Sequence, residues 1–404
     1  MPGIFHVPFP SLILAGCLCL FFFSHEVNGL SSSSSWLSMT TATGKASTIS
    51  TSSTNGRVAV VTGSSRGIGR GIALELGSAG YTVYCLGRSS SSSGSKPVPG
   101  QRPVAAGLDV TVESAAQEVT QRGGIGHAVP CDLSRDGVME DFLEELQKTE
   151  GRLDLLVCSA YSTPTAAQSL RGEFWKQGMD MWDAVNGLGL RQVYAACRAA
   201  APLLIDTANN QTNASSDSDA PPPLICLVSS FGGKSYTFNV AYGIGKAAID
   251  RMATDMSYQL AKYGVATTSL YPGLVKTEAN LQMQVDGTWD EASGNLDLSQ
   301  GESPEFSGRA LAQLASLPKD QMMERSGQVE VVAELAKEFG FTDVDGTQLP
   351  SIRSLRYLLP NFVFPQIEKE AGKPVPDWLK NNVPDILLPW STFSSGPPPE
   401  MDTR

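Results

Sequence analysis

The stretch Arg57-Val58-Ala59-Val60-Val61-Thr62-Gly63-Ser64-Ser65-Arg66-Gly67-Ile68-Gly69 passes from an unbroken apolar run into three closely spaced glycines. Val58 to Val61 predict a short strand covered on both faces, which Thr62-Gly63 ends. Ile72-Ala73-Leu74-Glu75-Leu76 then carries a helical pattern, and beyond Gly80 a second strand is expected over Tyr81–Leu86. Strand, glycine turn, helix and strand make a βαβ unit. Gly63, Gly67 and Gly69 let its backbone turn tightly and approach a pyrophosphate, whose charge the N–H groups and the positive end of the following helix would meet. A strand before and a helix after are what separate a dinucleotide-binding turn from a chance glycine triplet.

Downstream the alternation continues. Helices are expected around Val112–Gln121, Gly137–Thr149, Met181–Leu204 and Tyr242–Tyr263, with strands at Gly126–Pro130, Leu153–Val157, Leu224–Val228 and Val265–Tyr271. Such a series predicts an α/β fold with a doubly wound parallel sheet and helices on both faces. The 404 residues are 41% hydrophobic and 18% charged, enough for one large domain plus appendages. A net charge of −11 excludes a surface built for the phosphates of nucleic acid. None of the seven cysteines forms a CxxC pair, and there are only three histidines, so no metal site is expected. Cys85, Cys131, Cys158, Cys197 and Cys226 read as small core hydrophobes.

Val7 to Phe23 carries no formal charge and precedes the small-residue site Val27-Asn28-Gly29, so residues 1–29 read as a signal peptide, with an uncleaved anchor as the alternative. Residues 30–56 are rich in Ser and Thr, and no acid occurs between Glu26 and Glu75, a composition that fits a transit peptide or a solvated linker. The chain is therefore expected to enter the secretory route, bound for a plastid or the endoplasmic reticulum. The fold is expected over 57–346, with inserts at 89–107 and 206–223 and a substrate lid at 278–304. A tail at 347–404, broken by prolines, is expected to pack on the parent domain or on a second subunit. A homodimer or homotetramer, and a peripheral membrane contact, remain open.

Chemistry concentrates near residue 240. Tyr242 and Lys246 stand at i and i+4 on a helix and face one way. A phenol of pKa about 10 is a poor acid–base group at neutral pH until a cation favours its phenolate. At ~4 Å and an effective dielectric near 20, the ammonium would supply roughly 4 kcal/mol, or about 3 pKa units. Upstream, Ser229 and Ser230 end a strand at its carboxyl side, where parallel sheets bind ligands and a hydroxyl can hold a carbonyl oxygen.

The TGxxxGIG turn at 62–69, the serine pair and Tyr242-Gly243-Ile244-Gly245-Lys246, in this order, resemble the short-chain dehydrogenase/reductase family over roughly 57–346. The resemblance implies a Rossmann sheet of about seven strands and hydride transfer between a nicotinamide ring and a small carbonyl or alcohol substrate. It implies that Tyr242 donates the proton, that Lys246 lowers its pKa and bonds the nicotinamide ribose, and that Ser230 orients the substrate oxygen. Ser229 competes for that last role, but Gly233 falls three residues after Ser230, as the family's SxxG pattern does. The cofactor contacts it implies are Gly63, Ser65, Arg66, Gly67, Ile68 and Gly69 in the turn, Asp132 and Leu133 at the adenine, and Ser159 and Ala160 after the fourth strand. Pro272, Gly273 and Thr277 would cap the nicotinamide amide.

Two departures stand out against the family pattern. Cys158-Ser159-Ala160-Tyr161 replaces the usual Asn-Asn-Ala-Gly, and Gly189 stands where the family places a catalytic Asn, with Asn186 three positions early. They match one subgroup of the family, whose members reduce carbonyl compounds with NADPH. The second strand ends Leu86-Gly87-Arg88 and not in an acid, so Arg88 together with Arg66 would meet a 2′-phosphate, which favours NADP(H) over NAD(H). Two functions follow: an NADPH-dependent carbonyl reductase or alcohol dehydrogenase, or a catalytically weak cofactor-binding or scaffold protein of the same fold.

Overall fold

Every residue of β1 (Val58–Thr62) is buried, as a strand covered on both faces requires. In the computed structural model, which describes residues 56–91, 107–162, 173–214, 219–294 and 296–393, this strand lies in the middle of the sheet. The signal-like and Ser/Thr-rich segments up to residue 55, and residues 92–106 of the expected insert, lie outside the described residues. β2 (Thr82–Gly87), β3 (Ile125–Pro130), β4 (Leu155–Cys158), β5 (Leu224–Val228), β6 (Ala266–Tyr271) and β7 (Val329–Val331) complete one sheet, in the order β3-β2-β1-β4-β5-β6-β7. All six pairings are parallel. The strand order reverses between β1 and β4, and the crevice outside their carboxyl ends is where such sheets take ligands.

The helices are α1 (Gly67–Ser78), α2 (Val112–Gln121), α3 (Val138–Thr149), α4 (Gln192–Ala214), α5 (Val240–Leu260), α6 (Glu278–Val285), α7 (Pro304–Leu314), α8 (Val332–Phe339) and α9 (Phe364–Ala371), with shorter turns between them. Period-two alternation along β1 divides the core. Ala59 and Val61 join Ile72, Leu76, Val119, Phe306 and Leu335 on one face of the sheet. Val58 and Val60 join Leu146, Val193, Leu204 and Ile249 on the other.

Two elements differ from the sequence reading. The sheet has the expected seven strands, but β7 was not located in the sequence, because Val329-Glu330-Val331 is too short to show alternation before α8 begins. The expected helix over 181–204 is instead a turn at Met179–Trp182, a π-helical stretch at Asp183–Arg191 and then α4, which runs through the polar residues assigned to an insert. Its inner face explains the extension. Thr207 Oγ1 accepts from the Leu153 N–H at 2.9 Å and donates to the Leu203 carbonyl at 2.8 Å, while Ala208 is buried.

The tail packs on the parent domain as far as Phe393. Leu355, Leu359, Val363, Phe364, Val375 and Val383 form their own apolar cluster, and Arg353–Glu334 and Lys337–Asp385 ion pairs tie the segment to α8. Among the described residues no helix is long and apolar enough to cross a membrane, and no cluster of three or more His, Cys, Asp or Glu side chains could hold a metal. The five described cysteines are unbridged, and all but Cys131 are buried.

Candidate active site

Ser229 and Ser230 leave β5 with side chains pointing apart. Ser229 Oγ donates to the Lys246 carbonyl at 3.2 Å, whereas Ser230 Oγ lies 2.7 Å from Tyr242 Oη. Of the two candidates, Ser230 is thus the one that faces the phenol. Asn239 caps α5 and accepts from the Tyr242 N–H at 2.9 Å, which fixes the tyrosine in the first turn. Phe238, just before it, has φ 61°, a left-handed conformation rare for an aromatic residue and one that clusters at functional sites. Its ring meets Tyr242 edge-on at 5.2 Å.

Lys246 sits one turn further along. Its Nζ donates to the Val228 carbonyl at 3.1 Å and lies 4.9 Å from the Tyr161 ring centroid and 5.8 Å from that of Tyr242. Burial pushes the Lys246 ammonium down to about 8, opposed by the Asp250 carboxylate. Burial also pushes the Tyr242 phenol up, with the Ser230 hydrogen bond pulling partly back. The ammonium itself engages a carbonyl and a second ring, and burial is the largest influence on Tyr242 in this structure.

The crevice at the switch point is lined by Gly63, Ser65, Arg88, Leu133, Ala160 and Tyr161, among others. Gly63 has φ 70°, and a Cβ there would stand 2.7 Å from the Ala160 Cα, so only glycine fits. Thr62 Oγ1 accepts from the Ser159 and Ala160 amides at 3.1 and 3.2 Å and donates to the Val157 carbonyl at 3.2 Å. That hydroxyl ties the turn after β1 to the backbone that follows β4. Ile68 packs into the core beneath the turn, and Gly69 lies against the Gly63 carbonyl. Burial pushes the Arg66 guanidinium down; Glu278 opposes the shift and the neighbouring charge of Arg88 adds to it. The two arginines therefore share one field.

The remaining positions from the sequence spread around this crevice. Asp132 Oδ1 accepts from the Ser134 N–H and Oγ at 3.1 and 2.7 Å, closing a turn at the end of β3. Gly273, following Pro272, donates its N–H to the buried Glu302 carboxylate, and Thr277 caps α6 beside Gly67. Gly189 and Tyr161 explain one another: a Cβ at 189 would stand 2.8 Å from Tyr161 Cδ2. The two departures are thus one compensated change. Asn186, buried in the π-helical stretch, donates Nδ2 to the Ala241 carbonyl at 3.2 Å, and its Oδ1 has no hydrogen-bond partner among the described residues.

A family model described as enoyl-(acyl carrier protein) reductase matches residues 98–332. Dehydrogenase/reductase SDR family member 1 of Mus musculus is 37% identical over 310 residues, 75% of this chain and 88% of its own length. This chain belongs to the short-chain dehydrogenase/reductase family. The Homo sapiens protein of the same name is 35% identical over 313 residues, covering 76% of this chain and 88% of its own. The fold also matches a short-chain dehydrogenase of Mycobacterium paratuberculosis bound to NAD, with TM-score 0.52, 20% identity and coverage of 69% and 96%. Carveol dehydrogenase of Mycobacterium avium in complex with NAD gives TM-score 0.55 at 17% identity, with coverage of 69% and 96%. As a short-chain dehydrogenase/reductase, the chain is an NAD(P)-dependent oxidoreductase.

Membership in the short-chain dehydrogenase/reductase family gives weight to a contact that the sequence did not reveal. Glu278 Oε2, from α6, accepts the Gly67 N–H at 2.8 Å, the amide that opens α1 at the helix end where a pyrophosphate is expected. The carboxylate and a bound pyrophosphate cannot both take that N–H, and their charges repel. Glu278→Ala is therefore expected to tighten dinucleotide binding by about threefold to tenfold, less than the full worth of one charge-assisted hydrogen bond because the group is half-buried and partly screened. A fluorescence titration with no substrate present checks it. Unchanged or weakened affinity would mean that Glu278 swings aside at no cost.

Proposed function

We propose that this chain is an NADPH-dependent carbonyl reductase, acting in reverse as an alcohol dehydrogenase, with Tyr242 as general acid or base. The observation that carries the reading is the buried Tyr242 hydroxyl 2.7 Å from the Ser230 hydroxyl, with the Lys246 Nζ one helical turn on, 5.8 Å from the phenol ring. Ser230 and Tyr242 form a two-point clamp for a carbonyl oxygen, and Tyr242 Oη delivers its proton there as negative charge develops. Gly63, Gly67 and Gly69 would cradle the pyrophosphate, Leu133 and Ala160 would flank the adenosine side, and Lys246 would hold the ribose. NADPH supplies the hydride when bound. Incubating the purified protein with NADPH and a panel of ketones, aldehydes and quinones tests the reading; no NADPH consumption with any of them would refute it.

Arg66 and Arg88, sharing one field beside Gly87, support the choice of NADPH. Replacing both with neutral residues is expected to narrow the ratio of NADPH to NADH affinity by roughly tenfold or more, at about 1.5–3 kcal/mol for each charge-assisted contact. A wild-type protein that already prefers NADH would sink the assignment. A second reading, a cofactor-binding protein without turnover, draws on Gly189, which brings no side chain to the position of the family's Asn. It predicts NADPH binding and an empty substrate panel.

A further inference from the structure

We infer that the C-terminal segment Trp390–Phe393 positions the catalytic-serine turn, an inference that rests on Ser230 holding the substrate oxygen. Ser230 caps the tight turn Phe231–Gly233: its Oγ accepts from the Gly232 N–H at 3.1 Å, and its carbonyl accepts from the Gly233 N–H at 2.9 Å. The next side chain, Phe231, is held from the tail. Its ring meets Phe393 edge-on at 4.9 Å and 82°, and Trp390 at 6.2 Å. Trp390 also meets Tyr271, the last residue of β6, at 5.7 Å and 78°.

The tryptophan is itself clamped. The Arg353 guanidinium lies 4.9 Å from its ring centroid. Arg353 donates Nε and Nη2 to the two oxygens of Glu334 on α8 at 2.7 and 2.6 Å, and Nη1 to the Leu388 carbonyl at 3.2 Å. A continuous chain of contacts thus runs from α8 through Arg353, Trp390 and Phe231 to the backbone that aims Ser230 at Tyr242. Residues 390–393 lie beyond the 98–332 stretch that the family model matches. Because a ring wedged between two others has few alternative rotamers, the turn loses its freedom to swing Oγ away from the phenol.

The test compares the full-length protein with Trp390→Ala/Phe393→Ala, Trp390→Phe, Phe231→Ala, and Leu359→Ala, the last loosening the tail cluster away from Phe231. Positioning predicts that kcat falls between roughly tenfold and a hundredfold in the double variant and in Phe231→Ala, with NADPH affinity unchanged. The losses should not add when the changes are combined, and Trp390→Phe should restore most of the rate. Leu359→Ala should lower thermal stability with kcat retained. Independently of turnover, hydrogen exchange at the Gly232 and Gly233 amides should quicken by roughly tenfold in the double variant. Unchanged exchange there, or a folded double variant with full kcat, overturns the inference. Accelerated exchange in a protein that turns over no carbonyl upholds the clamp and removes the catalytic reading instead.

Discussion

Replacing Tyr242 by phenylalanine is expected to cut kcat by roughly a hundredfold to ten-thousandfold while leaving the dissociation constant for NADPH unchanged, the scale of a lost general acid. The ring keeps its edge-on contacts with Phe238 and Tyr161, so packing survives and only the proton is removed. The hydroxyl of Ser230 loses its partner at 2.7 Å and remains to hold the carbonyl oxygen alone. Single-turnover measurement with saturating NADPH separates the chemical step from binding. A variant within a few-fold of the parent would transfer the proton to another donor and remove Tyr242 from the mechanism.

The largest effect on stability is expected at Asp154, a fully buried carboxylate where the fold begins. It accepts from the Val58 N–H at 2.8 Å and from Arg152 at 2.9 and 2.7 Å, and it lies 3.5 Å from the buried Arg57 guanidinium. Asp154→Ala leaves that guanidinium desolvated without its counter-charge and orphans a backbone donor in the central strand. A loss of about 3–5 kcal/mol is expected, as for other broken buried pairs. Urea unfolding, followed by far-UV circular dichroism, measures it. A loss below about 1 kcal/mol would mean that water reaches the site and replaces the carboxylate.

The strand–turn–helix at 57–78, six of the seven strands and the Tyr242–Lys246 pair were legible without coordinates. Each is set by residues within one or two turns of one another: β-branched runs, glycines in a turn, and the i, i+4 geometry of a helix. The same locality explains what escaped. The Gly233 spacing favoured Ser230 over Ser229 by resemblance alone; that the two leave the strand on opposite sides, with only Ser230 meeting the phenol, depends on the position of α5. Polar residues 206–214 read alike as loop or exposed helix until the buried contacts of Thr207 and Ala208 distinguish them.

The i, i+4 spacing put Lys246 near Tyr242 but did not show that its ammonium would donate to a carbonyl of β5 and lie over the Tyr161 ring. Gly189 looked like a lost catalytic residue, and the fold shows it making room for Tyr161. Glu278 reaches Gly67 across 211 residues, and Trp390 reaches Phe231 from the far end of the tail. By itself the sequence determined the elements and the chemistry they carry, because local sterics and hydrogen bonding act within a few residues. Which of those groups meet was decided by strand order and helix packing, since contacts between distant segments depend on burying one shared core, and no short-range pattern encodes that arrangement.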